Sequence, residues 1–163
     1  SDHLSVATLR ITPEKIIKKT IGEWTLLTDT ALLSKIRRMR KQKLPNETGG
    51  VLVGCFDMTR RIVYIVDTIA SPPDSKEWPT LYIRGHEKLP TMITAIQQHT
   101  AGNLEYIGEW HSHPDGYPAL PSKDDIQVFA WLTELMDQDG RPALMLIMAE
   151  SEHNFFLGHI SGG

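Results

Sequence analysis

Apolar and polar positions along this chain change period several times, and each change marks an element. Leu32, Leu33, Ile36 and Met39 recur at helical spacing behind Asp29, a good helix cap, so a helix is predicted over 29–41. Residues 48–56 and 61–70 are two β-rich runs, and the polar stretch 57–60 between them reads as a hairpin turn. Further along, 90–99 reads as a helix, 104–111 as a strand and 122–137 as a strongly patterned helix. Residues 143–150 and 154–160 read as closing strands, joined to that helix by a turn at Gly140-Arg141-Pro142. Residues 24–27 read as a short strand, and 71–87 as a proline-containing loop with a short strand at 81–83. The first 23 residues support two readings, a helix starting at Thr12-Pro13-Glu14 or a strand over 6–11. The resulting alternation predicts the α/β class, a mixed β-sheet packed by helices, within one domain over residues 1–163.

Composition narrows the function classes. A length of 163 residues suits one domain with its own core. The net charge of −3 argues against broad nucleic-acid binding. No apolar run approaches the roughly 20 residues of a membrane-spanning helix, and no signal-peptide pattern opens the sequence. A single cysteine, Cys55, excludes an intramolecular disulfide framework. A cytoplasmic location with no membrane partner is therefore expected.

The chemistry concentrates in residues 109–125. His111 and His113 stand two apart at the end of a predicted strand, so both imidazoles point to one face and can reach one ion. Asp125, in the first turn of the following helix, can supply an oxygen. Two nitrogens and one oxygen leave a fourth position open, which is the pattern of catalytic zinc sites. Each part also has an ordinary reading. A pair of histidines at a strand end is common, and Ser122 with Asp125 three residues later forms a helix capping box. The apolar residues behind them, Ile126, Val128, Phe129, Trp131 and Leu132, suit a capped helix.

Together with the stretch Glu47-Thr48-Gly49-Gly50-Val51-Leu52-Val53-Gly54, these residues resemble the JAMM (MPN+) metalloproteases. The likeness spans 24–160 in element order and is strongest at 47–54 and 108–126. That family removes ubiquitin or ubiquitin-like proteins from their targets on a JAB/MPN domain of cytidine-deaminase-like fold. The resemblance implies one zinc ion held by His111, His113 and Asp125. It also implies Glu47 as the general acid/base and Ser122 as a hydroxyl donor to the oxyanion. One departure stands out. Eight residues, Pro114 to Pro121, separate His113 from Ser122, one more than is usual in the family. Asp124 thus competes with Asp125 for the third ligand, and the three-residue offset from Ser122 favours Asp125.

The resemblance carries further expectations. Residues 71–87 correspond to a family insertion that helps clamp the substrate tail, with Trp78 and Tyr82 as contacts; the alternative is a plain connecting loop. Only Gln138-Asp139-Gly140 stands where a second insertion would fall, so the second structural zinc of some relatives is not expected. The expected partner is a ubiquitin-like protein or its conjugate. Compactness points to bacterial members encoded with ubiquitin-activating-like and conjugating-like enzymes in antiphage defence. Three other readings remain: sulfur-carrier processing, an inactive MPN scaffold, and a DNA-repair relative, which the acidic charge disfavours. Cys55, inside an apolar strand, reads as packing and not as a nucleophile. Lys35, Arg37, Arg38, Arg40, Lys41 and Lys43 read as a solvated helix end suited to the dipole, or as a docking patch for an acidic partner.

Overall fold

The computed structural model describes residues 15–160. Both readings for 6–14 lie outside the described residues. The chain enters through a hairpin of β1 (Ile16–Ile21) and β2 (Trp24–Asp29), turned at Gly22, whose φ of 58° suits glycine. β1 was not among the predicted elements. Its burial pattern is mostly exposed, with Lys18 and Lys19 mid-strand, so periodicity gave it no signature. Cross-strand pairing with β2 makes it a strand.

Helix α1 (Thr30–Lys43) follows, with the Asp29 carboxylate accepting the Leu32 N–H at 2.8 Å. Next come the hairpin β3 (Gly49–Asp57) and β4 (Ile62–Ala70), a small hairpin β5 (Lys76–Trp78) and β6 (Leu81–Ile83), and α2 (Leu89–His99). The chain closes with β7 (Glu105–Ser112), α3 (Lys123–Asp137), β8 (Ala143–Met148) and β9 (His153–Gly158). The segment expected to hold one short strand thus holds two. β5 is three residues long with a polar sequence, and only its partner β6 reveals it.

The main sheet has seven strands in the order β1-β2-β4-β3-β7-β8-β9. β2–β4 and β7–β8 are parallel and the remaining pairs antiparallel, so the sheet is mixed, as the element order predicts. Side-chain alternation divides the core between its two faces. Leu144, Leu146 and Met148 of β8 pack with Leu32 and Ile36 of α1, whereas Met145 and Ile147 meet Phe129 of α3. Val51 and Val53 of β3 pack with Leu89 of α2. β8 is buried at every position, which explains its unbroken apolar run. This arrangement leaves the C-terminal end of β7 beside the N-terminal end of α3, where the chemistry-bearing residues lie.

Candidate metal centre

Register creates the site. β3 and β7 are antiparallel with Gly49 opposite His111, and the pairing continues outward. The Thr48 N–H donates to the Ser112 hydroxyl at 2.9 Å, and the Ser112 N–H donates to the Thr48 carbonyl at 2.8 Å. Glu47, more than sixty positions upstream, is thereby carried to the end of β7 that bears His111 and His113. Its own N–H donates to the Trp78 carbonyl at 2.9 Å, tying it to the β5–β6 hairpin. Gly49 is needed here because a Cβ would run into the Trp110 carbonyl and the Tyr82 ring. Tyr82 takes that space and seats β6 over the site.

His111, His113 and Asp125 converge, with their potential ligand atoms within 4.8 Å of one another. Both Nε2 atoms lie 3.1 Å from the same oxygen, Asp125 Oδ2. Two ligands on a tetrahedral zinc with bonds of about 2.0–2.1 Å stand about 3.3 Å apart, so this spacing suits a shared ion. A second observation agrees with that fit. Among the described residues His111 Nε2 is buried without a hydrogen-bond partner, although it lies 3.1 Å from Asp125 Oδ2. A buried nitrogen left this way suits a metal better than a proton. His113 Nδ1 lies 2.7 Å from the Pro118 carbonyl. Donation there places the proton on Nδ1 and leaves Nε2 with its lone pair facing Asp125.

The capping box read from the sequence is also present. The Asp125 N–H donates to Ser122 Oγ at 3.1 Å, and the Ser122 N–H donates to Asp125 Oδ2 at 2.8 Å. The ordinary and the chemical readings are therefore compatible: the cap fixes the carboxylate that faces both histidines. It also uses an Oγ lone pair and leaves the hydroxyl proton free to donate outward. Asp124, the competing carboxylate, lines the adjoining cavity but is not part of the converging group.

Electrostatics separates the carboxylates. Burial pushes the Glu47 carboxyl up to about 7, against a lowering from His113 and together with a raising from Asp125. Burial would also raise Asp125, but its contacts with His111 and His113 hold it well below the ordinary carboxylate range. One carboxylate is thus poised near neutrality and the other stays ionised.

A groove runs past the site between β6 and α3. Two adjoining cavities of about 350 and 420 Å³ share Tyr82, Ile83, Asp125 and Val128. One contains Glu47, His113 and Ser122; the other is walled by Trp131, Leu132 and Met145. Tyr82 lines both, while Trp78 lies outside the lining, beneath the Lys76 ammonium. At the far end Arg84 is ion-paired with Glu109, which also accepts from the Tyr106 hydroxyl at 2.8 Å. Arg84 and Glu109 carried no sequence signal, since they meet only when β6 lies across β7. Cys55 stays apart from the site, and burial raises its thiol pKa, consistent with packing.

Fold and site together define a JAB domain. The chain belongs to the Prok-JAB family, prokaryotic homologs of the JAB domain, whose model matches residues 29–157. The resemblance drawn from the motifs and the fold class are both met. A relative from Enterobacter hormaechei subsp. hoffmannii (strain UCI 50), named CD-NTase/cGAS isopeptidase, is 32% identical over 130 residues. That match covers 78% of this chain and 70% of the relative. A protein of the same name from Escherichia coli (strain TW11681) is 31% identical over 111 residues, covering 65% of this chain and 64% of the relative. The solution structure of protein DSY2949 from Desulfitobacterium hafniense shares the fold at a TM-score of 0.55 and 20% identity. It covers 80% of this chain and 82% of its own. JAB-domain membership and relatives named as isopeptidases support hydrolysis of an isopeptide bond in a protein conjugate.

Proposed function

We propose that this chain is a zinc-dependent isopeptidase that cleaves after the C-terminal glycine of a ubiquitin-like protein or of a conjugate built in the same way. The convergence of His111, His113 and Asp125 beside Glu47 carries the reading. His111 and His113 would hold the ion through Nε2, and Asp125 through its carboxylate. Bound there, zinc supplies a Lewis acid that polarises the scissile carbonyl and acidifies water. Glu47, poised near neutrality, takes a proton from the attacking water and passes it to the leaving amine. The Ser122 hydroxyl donates to the developing oxyanion. An extended tail fits the groove by pairing with the open edge of β6, where main-chain bonds would align it.

The relatives' names direct the choice of conjugate to one containing a CD-NTase, in keeping with a place in antiphage defence beside ubiquitin-activating-like and conjugating-like enzymes. The test uses purified full chain with a CD-NTase conjugate and with ubiquitin-like proteins fused at their C-termini to a reporter. Release of the intact tail from at least one of them is expected, and inertness toward all of them would contradict the reading.

Ser122→Gly separates the capping role from the chemical one. Glycine at a helix N-cap costs only a few tenths of a kcal/mol relative to serine. Loss of one oxyanion donor lowers kcat by about 10²–10³. Near-parent stability with a kcat loss of that size is expected from denaturant melts and steady-state kinetics.

A further inference from the structure

We infer that Arg40 is a positioning residue for the metal centre, acting through the backbone of His113 and the loop over 114–121; the inference rests on the zinc reading above. Arg40 lies on the α1 face that carries Leu32 and Ile36 at four-residue spacing, and it is 1% exposed. A cation at that depth needs partners for its donors. Both of its partners lie just past β7. Nε donates to the His113 carbonyl at 2.9 Å, and Nη2 donates to Asp115 Oδ1 at 2.6 Å.

The first bond acts on the ligand residue itself. The His113 N–H is already fixed by the Met148 carbonyl at 3.0 Å, so Arg40 completes the backbone anchoring on the opposite side. The second bond acts through the loop. Asp115 begins the turn that brings the Pro118 carbonyl back to His113 Nδ1, the contact that orients the ring. The far side of this loop is held by the turn between β8 and β9. The Gly116 N–H donates to Glu150 Oε2 at 3.2 Å, and the Ala119 N–H donates to Glu152 Oε1 at 2.8 Å. Arg37, one turn earlier on α1, donates to the Glu150 carbonyl at 3.0 Å. The loop over 114–121 is therefore clamped from both sides, and Arg40 also bonds the ligand residue directly. Lysine would keep the charge, but its single ammonium lacks the planar fork that spans carbonyl and carboxylate.

The test compares Arg40→Lys and Asp115→Ala with Lys35→Ala, which breaks an exposed α1 ion pair to Asp67 away from the site. Zinc affinity by chelator competition, the visible spectrum of the cobalt-loaded protein and the melting of metal-free protein are measured on the full chain. Zinc affinity is expected to fall about 10–100-fold in the first two variants, as for other partners that orient metal ligands, with a shifted cobalt spectrum. Lys35→Ala is expected to match the parent in zinc affinity and in the cobalt spectrum. Parent-like zinc affinity in Arg40→Lys and Asp115→Ala, or an equal fall in Lys35→Ala, would overturn the assignment. If Arg40→Lys does not fold, Asp115→Ala decides, since the Asp115 side chain is 59% exposed and Arg40 keeps its bond to the His113 carbonyl. A parent that binds no zinc removes the proposed function as well; a zinc-binding parent with unaffected variants removes only the role of Arg40.

Discussion

Replacing Glu47 by glutamine lowers kcat by about 10²–10⁴-fold, the usual contribution of a positioned general acid/base, while zinc binding and fold persist. The amide keeps the shape of the side chain but cannot accept the proton of the attacking water. In the parent protein the rate falls as pH drops through the Glu47 pKa, because the base must be ionised to act. Burial places that value at about 7, and a divalent cation beside it draws it downward, so the acid limb lies at or below about 7. The residual rate of Glu47→Gln lacks this limb. Stability moves the other way. Folding raises the Glu47 pKa above its unfolded value, so its carboxylate costs the folded state more as pH rises through that interval. Metal-free Glu47→Gln is therefore at least as stable as the parent above neutrality. Denaturant melts and pH–rate profiles on the two proteins check both halves.

Replacing His113 by alanine has the second large effect. It removes one nitrogen from the converging group and breaks the bond between Nδ1 and the Pro118 carbonyl. Zinc content falls to near zero and hydrolysis falls to background. The metal-free protein loses about 1–3 kcal/mol from a buried polar contact and the space left by the ring. Elemental zinc measurement together with a urea melt reads the two effects separately. A His113→Ala protein that kept full zinc content would place the ion elsewhere.

The elements most legible in the sequence are those whose cap, apolar run or apolar periodicity lies within one short segment. The capped α3, the hairpin of β3 and β4, and the two closing strands fall within a few residues of their predicted bounds. Asp29 capped α1 as its sequence position suggests. What stayed hidden depends on partners distant in sequence. β1 and β5 are mostly exposed, and become strands only beside β2 and β6. The basic end of α1 looked like a solvated face or a docking patch. Lys35, Arg38, Lys41 and Lys43 are exposed, as a solvated face implies, but Arg37 and Arg40 turn to partners within the molecule, and Arg40 is fully buried. Its spacing from Leu32 and Ile36 held that signal, but its charge masked it.

The site was more legible than the framework that supports it. His111, His113, Ser122 and Asp125 sit close in sequence, and strand and helix geometry suffice to bring them together. Glu47 needed either the family likeness or the β3–β7 register. Ser122 and Asp125 first presented a choice between cap and chemistry, and the structure makes that choice unnecessary. A helix start that satisfies its own amides also holds a carboxylate 3.1 Å from two imidazoles.

The most direct test of the zinc isopeptidase reading is a metal titration read by cleavage. Purified protein is stripped with a chelator, incubated with a protein conjugate, and supplied with increasing zinc. No cleavage is expected from the stripped protein, with recovery saturating at about one zinc per chain, the stoichiometry of a single three-ligand site. Full cleavage by rigorously stripped protein, or zinc binding at that stoichiometry without cleavage of any conjugate, would contradict it.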